Sequence, residues 1–559
     1  MIKNHFTLLL SILLLLYVNT ATIASQDYIR RNADLDLSPK NILIGSYIGG
    51  RSHVKPMLDI AAILIERGHN VILVTSGNYT PASEYPTVKQ VSLGPTIDYN
   101  DMGGVTSSQK QFDYTAIKAF EGQILKSYSN NFEKFKNAAK EYNIDLFFCH
   151  ALVNDACLDA AYVLKKPLVG FSSYAQMVAP ATYKSDPILH CNTSLENASF
   201  FERFRCTIIQ PIKMVFTMYP FANQLNNMRK QFNVESSSVG TGDLRRISLY
   251  LLDTFFGFEL PQSLPPNIQE IGPVLPREYP PLTPELSDFI NAHKRVLYVA
   301  FGARFTTTVE NNSKLMQSFV EAINKNMIDG VVWALSQTSK DAFYPTLNPT
   351  DGSQIQTSSI LNNEHPHIRI VKFAPQFAVL NHPNTKLFLS HGGAGSVHES
   401  LYTGTPMLVL PLGSDQMGNA EKLESAGVAL SLNKMKLDVN DIINKMDILL
   451  KDENVKKNAK RMEALAKIDS KRKYRAADSI EYILYSSSLN EGISEGYLNE
   501  WAPADSRMGF IRGNNLDVYG AILVTILGLV GGILWGIFKL IRFIVKRNPS
   551  SDDQKSKRE

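Results

Sequence analysis

Residues 386–412 narrow the choice of fold more than any other part of the chain. A short apolar run, KLFLS at 386–390, leads into His391, Gly392, Gly393, Ala394 and Gly395. Ser396 follows with Glu399 three residues on, and a second apolar run, MLVLPL, fills 407–412. Strand, loop with few side chains, helix and buried strand together make one βα unit of a parallel sheet. The Ser-x-x-Glu spacing is that of a capping box, so the helix is expected to open at Ser396 with Glu399 reaching back. A bare loop lets backbone N–H groups approach an anion, and the partial positive charge of a helix start favours it. The loop therefore suits a diphosphate. The carboxyl end of the second run brings Asp415 and Gln416 to the same rim, where they can hold sugar hydroxyls.

The same alternation recurs along the chain. Residues 41–46 (NILIGS) read as a strand, 54–67 as an amphipathic helix stopped by Gly68, and 70–75 (NVILVT) as the next strand; 144–149 and 167–171 follow as later parallel strands. A second βα series begins at 296–301, passes through 331–335 and 368–373, and includes the glycine loop. The proline-rich stretch 262–284 marks the junction. The expectation is an α/β chain of two Rossmann-like domains facing across a cleft, 26–275 and 294–485, joined by a linker at 276–293.

Both ends carry membrane signals. Lys3, the leucine-rich run 7–17 and the small residues Ala21, Ala24 and Ser25 have the layout of a signal peptide over 1–25. Residues 518–538 are uncharged and long enough to cross about 30 Å as a helix. Lys539, Arg542, Lys546 and Arg547 follow at once, which puts the tail 539–559 in the cytosol and everything before the span, including the juxtamembrane segment 486–517, in a lumen. The tail holds seven basic and three acidic residues, a balance equal to the whole chain's formal charge of +4. The rest is near neutral and gives no charge footprint for nucleic acid. Lumenal exposure makes the sequons at Asn78, Asn192, Asn197 and Asn311 acceptors for glycosylation. Of the four cysteines, Cys191 and Cys206 flank a polar, sequon-bearing stretch and are expected to pair, whereas Cys149 and Cys157 read as buried thiols. No His/Cys spacing suggests a metal. Gly528, Gly532 and Gly536 share one face of the span, where a homodimer contact is one reading and the ordinary frequency of glycine in such helices the other.

The run 373–419 resembles, without a gap, the nucleotide-sugar signature of the UDP-glycosyltransferase family, which includes membrane-bound glucuronosyltransferases and plant glucosyltransferases. The resemblance implies a GT-B type architecture with one C-terminal transmembrane helix, the last helices, from 455 to about 484, packing back towards the first domain. It also implies a donor site: Phe373 stacked on uracil in place of the usual Trp, Gln376 at the nucleoside, and His391, Gly393 and Ser396 at the diphosphate. Glu399 would hold the ribose, and Asp415 with Gln416 the donor sugar. Gly395 stands where many members have Asn. His398 is expected on the helix surface. Signal peptide, single span and a tail ending Lys555-Ser556-Lys557-Arg558-Glu559 resemble resident endoplasmic reticulum membrane proteins of type I.

For the chemistry, Gly49-Gly50-Arg51-Ser52-His53 follows the first strand, where ligands bind in doubly wound sheets, and His53 is placed as general base. Family members orient this histidine with an aspartate at the end of a later strand; here His150 occupies that place, and Asp155 is the acidic residue expected either to replace it or to cap the following helix. The expected activity is inverting transfer of a hexosyl or glucuronosyl group from a UDP-sugar co-substrate to a hydroxyl of a hydrophobic lipid, sterol or small molecule, with no metal or other cofactor. Arg51 and Arg304 are cations that a glucuronate would want, but neither spacing decides the sugar. The alternative is a catalytically impaired UDP-sugar-binding membrane protein acting as a regulatory partner.

Overall fold

Ile42, Leu43 and Ile44 have no solvent exposure, because their strand, β1 (Asn41–Ser46), lies inside a parallel sheet covered on both faces. A computed structural model describes residues 38–77, 85, 87–95, 114–173, 182–236, 247–302, 307–335, 342–350, 352–489 and 508–547. The expected signal peptide, the Asn78 sequon, Arg304 and the lysine-bearing chain end lie outside these residues. The first sheet adds β2 (Asn70–Thr75), β3 (Lys89–Ser92), β4 (Leu146–His150), β5 (Leu168–Ser172), β6 (Leu249–Leu252) and β7 (Ile268–Glu270) in the order β3-β2-β1-β4-β5-β6-β7. The order reverses between β1 and β4, which pair in parallel with Gly45 opposite Cys149. A ligand crevice opens outside the carboxyl ends of strands at such a reversal.

The second sheet contains β8 (Val296–Ala300), β9 (Gly330–Ala334), β12 (Ile368–Val371), β13 (Thr385–Ser390), β14 (Met407–Val409) and β15 (Ala429–Ser431) in the order β12-β9-β8-β13-β14-β15; β10 (Thr346–Leu347) and β11 (Ile355–Gln356) form a separate two-stranded ribbon. Its reversal falls between β8 and β13, where Ser390 pairs with Ala300. Two apolar clusters cover its faces, one around Leu315, Phe319 and Trp333, the other around Phe289, Phe388 and Leu401.

Buried polar contacts join the carboxyl edges of the two sheets. Asp253, just past β6, lies 3.5 Å from His398, which is buried and not on the helix surface as the sequence suggested. Glu259 is gripped by Lys422 at 2.6 Å and Lys184 at 3.0 Å, all three buried. Burial opposes ionisation of Glu259, and the two lysines outweigh it, holding the carboxyl below its ordinary range. Glu421 accepts the Thr193 N–H at 2.6 Å. At the other side, helix Arg472–Leu489 packs back on the first domain, its Glu481 meeting Arg67 at 2.5 Å and His69 at 2.9 Å. The sequence-assigned linker is more structured than its prolines suggest. β7 lies within the proline-rich stretch 262–284, and helix Pro284–Asn291 is capped by Thr283, whose side chain accepts the Leu286 N–H.

Cys191 and Cys206 are bonded, as expected. Cys149 and Cys157 are bonded too, which corrects their reading as free thiols: the turn from β4 into helix Asp155–Val163 brings their Cα atoms within 6.2 Å. The C-terminal helix Leu516–Arg547 belongs to a separate compact unit and is apolar and long enough to cross a membrane. Gly528, Gly532 and Gly536 have open space where a Cβ would stand.

Glu259→Leu leaves the buried ammonium groups of Lys184 and Lys422 without the carboxylate they share, a loss expected to cost about 3–5 kcal/mol. Thermal unfolding of this variant should begin well below wild type, whereas Lys325→Ala, which removes a half-exposed partner of Glu321, should leave the melting point nearly unchanged.

Candidate functional site

Two histidines meet at the reversal of the first sheet. His53 lies in the first turn of helix Arg51–Glu66, which starts three residues before the position the sequence periodicity gave. Gly50 precedes it with φ 78°, and Gly49 at φ 63° passes so close to Ser76 that a Cβ would stand 2.7 Å from its carbonyl oxygen. Only glycine tolerates both constraints. His150 ends β4 and is 4% exposed. The rings meet edge to face, with His53 Nδ1 3.2 Å from His150 Nε2. The Leu152 N–H donates to His150 Nδ1 at 3.3 Å. Burial pushes the His150 imidazole down to about 4, so it is neutral at physiological pH.

Asp155, the sequence candidate for orienting His53, turns its carboxylate to Arg229 at 3.0 Å, with Asp159 on the same guanidinium at 2.7 Å; all three are buried. It opens helix Asp155–Val163, and Tyr128 completes the cluster through Asp159 at 2.8 Å. The structure thus brings His53 to His150 and assigns Asp155 a partner in Arg229.

At the second reversal, short hydrogen-bonded groups surround the glycine loop and the loop after β14. The helix starts at Ala394 with Gly393 as N-cap and no side-chain cap. This corrects the capping-box expectation: Ser396 lies inside the first turn, and both Ser396 and Glu399 accept from Gln376 Nε2, at 3.2 and 2.9 Å. The early start leaves the cap position to a residue without a side chain, which keeps the backbone N–H groups accessible to an anion. Gly392, at φ 83°, donates to Ser390 Oγ at 3.3 Å, and its carbonyl accepts from Asn419 Nδ2 at 3.0 Å. Asn419 also holds Asp415 at 3.0 Å. Gln416 Oε1 accepts the N–H groups of Leu412 and Gly413 at 2.8 and 3.1 Å, fixing the loop after β14.

His391 packs under this loop, and burial brings its imidazole down to about 4. A Cβ on Gly302, just past β8, would come within 3.2 Å of the ring, and one on Gly393 within 2.7 Å. Phe373, beyond β12, is 75% exposed, a large aromatic face available for stacking. Burial raises the Asp415 carboxyl above its ordinary range.

Sequence reasoning missed two participants. Asn419 ends the run 373–419, but the chain gives no sign that its amide ties the glycine loop to Asp415. Tyr279, in the linker, stacks on Phe377 with ring centroids 3.6 Å apart, and its buried hydroxyl has no hydrogen-bond partner. After burial itself, the charge of Glu399 is the largest influence raising its pKa, which places that hydroxyl near the residue implied for the ribose. Among the described residues no cluster of His, Cys, Asp or Glu has the form of a metal site.

Two doubly wound sheets meeting at their carboxyl edges are the architecture of glycosyltransferases of the GT-B type. The glycosyltransferase of kitacinnamycin has the same fold, with a TM-score of 0.57 at 18% identity over 80% of this chain and all of its own. The family pattern described as UDP-glucoronosyl and UDP-glucosyl transferase matches residues 172–485, and the chain belongs to the UDP-glycosyltransferase family. A UDP-glycosyltransferase of Talaromyces amestolkiae is 28% identical, the match covering 89% of this chain and 97% of the relative. A UDP-glucuronosyltransferase of Homo sapiens is 26% identical over 74% of this chain and 77% of its own. The protein is an enzyme that uses a UDP-sugar as co-substrate.

His150 and His391 are held neutral when folded and regain their ordinary affinity for protons when unfolded. Their burial therefore costs nothing well above pH 6.5, and stability is lost as pH falls from about 6.5 towards 4, by roughly 1.4 kcal/mol per pH unit for each. The melting temperature should drop steadily over that window, and His391→Gln should flatten the slope.

Proposed function

We propose that this enzyme transfers a hexosyl or glucuronosyl group, with inversion, from a UDP-sugar to an oxygen of an apolar acceptor. The observation that carries the reading is the glycine backbone at His391–Ser396, left without side chains at a helix start, where Asn419 holds the Gly392 carbonyl and Gln376 ties Ser396 to Glu399. A diphosphate bound there has its developing charge met by backbone N–H groups as UDP departs. Phe373 supports a stacked uracil and Glu399 a ribose contact. Asp415 and Gln416 stand where donor-sugar hydroxyls would lie, although the Gln416 carbonyl is already committed to the loop. His53, in the first turn beside the reversal of the other sheet, is the group at the acceptor oxygen, and the contact between His398 and Asp253 brings the two edges together.

The setting supports an apolar acceptor. Helix Leu516–Arg547 suits a span, and an exposed stripe of Phe201, Ile208, Ile212, Phe216 and Tyr219 runs along the first domain's surface. With the signal-peptide layout and the basic tail, these features fit a single-pass enzyme of the endoplasmic reticulum membrane with its catalytic domains in the lumen.

Full-length protein in microsomes, offered UDP-glucose, UDP-glucuronate and UDP-N-acetylglucosamine with a panel of hydrophobic alcohols and phenols, should release UDP with one donor preferred. His53→Ala should lose about 100-fold or more of kcat/KM. Unchanged activity in that variant removes His53 from the reaction, and tight UDP-sugar binding with no turnover on any acceptor supports a regulatory binding protein instead.

A further inference from the structure

The hydrogen bond between the two histidines has a direction, and that direction bears on which acceptors the enzyme takes. His150 Nδ1 accepts the Leu152 N–H, so it carries no proton, and the proton of neutral His150 sits on Nε2. That atom faces His53 Nδ1 at 3.2 Å. His53 therefore accepts at Nδ1, and its own neutral form carries its proton on Nε2. A carboxylate at position 150 would impose the reverse: it would accept from Nδ1–H and leave Nε2 bare to take a proton. For His53 Nε2 to become a base here, His150 must move its proton to Nδ1, against the Leu152 N–H. Burial opposes relief of that conflict by charging His150. Asp155 has its carboxylate on Arg229.

We infer that the His53–His150 pair selects acceptors that arrive already ionised, acidic phenols and carboxylic acids, over aliphatic alcohols, and that His150 is the positioning residue that sets this choice. The inference rests on the reading of His53 as the group at the acceptor oxygen. In the step it describes, His53 Nε2–H donates a hydrogen bond to the acceptor oxyanion. The oxyanion attacks the anomeric carbon of the sugar, the bond from that carbon to the diphosphate oxygen breaks, and UDP leaves with the electron pair. No proton changes hands, because the acceptor lost its own to solvent before binding. An aliphatic alcohol has no such route and depends on the minor tautomer of the pair.

The test uses the full-length protein with its preferred donor and two kinds of acceptor, 4-nitrophenol with benzoate on one side and cyclohexanol with 1-octanol on the other. Wild type should favour the ionisable acceptors by about 100-fold or more in kcat/KM, the lower range of what a general base contributes. His150→Asp should raise the alcohols by about tenfold or more and leave 4-nitrophenol within about threefold, a change in ratio that a purely structural role would not produce. Equal use of alcohols and acidic phenols by wild type overturns the inference even if the variant does not fold, and so does a folded His150→Asp enzyme whose ratio is unchanged. If His53→Ala alters neither acceptor class, the placement of His53 fails first. Absence of turnover with every pair removes the transferase reading and this inference together.

Discussion

The chemistry of this fold depends on the carboxyl edges of two parallel sheets being held against each other, and the contacts that hold them are polar. A parallel sheet exposes its useful backbone where the strands end, so a donor on one sheet and an acceptor on the other can react only if those ends meet. An apolar seal there would exclude the polar co-substrate. The chain uses Asp253 against His398 and Glu259 between Lys184 and Lys422. Such buried pairs add little net stability compared with apolar packing, but a broken one is costly, so they fix one arrangement more than they strengthen it.

A related constraint shapes the donor cradle. Its backbone has to stay bare for an anion, and a bare loop is poorly determined by its own side chains. Neighbours from outside the loop supply rigidity: Asn419, from the helix after β14, holds the Gly392 carbonyl, and Gln376, from a five-residue helix after β12, holds Ser396 and Glu399, while Gln416 fixes the separate loop after β14. Most of the signature is thus occupied in holding the site, with only some of its atoms left to touch a ligand. Gln416 is the clearest case, since its carbonyl oxygen serves two loop N–H groups before any sugar is considered.

Strand pattern made the two parallel sheets and most of their central strands legible, though not the edge strands β3, β7 and β15 or β6, because βα periodicity is a local property. What stayed hidden was non-local. The pairing of Cys149 with Cys157 depends on how sharply the chain turns after β4, and the burial of His398 on a partner 145 residues away. The role of Asp155 depends on Arg229, a residue on another helix with nothing in its own neighbourhood to announce it. The capping box misled for a different reason. Ser-x-x-Glu is a sound local signal, but Gln376 offered both side chains a better partner, and the helix began two residues early with glycine at its cap.

In the proposed reaction the same physics serves opposite ends through two buried histidines. Neutral His391 under the glycine loop adds no charge, so in the proposed donor site attraction for the diphosphate is left to fixed dipoles that need no reorganisation as UDP departs. Neutral His150 behind His53 also adds no charge, but there the usual requirement is for a carboxylate that stabilises a forming imidazolium. Substituting an imidazole for a carboxylate keeps a hydrogen bond to Nδ1 and inverts its polarity. The contact is kept while the proton ends up on the other nitrogen of His53, so in the inferred mechanism the acceptor side is set by the orientation of one hydrogen bond as much as by the shape of a pocket.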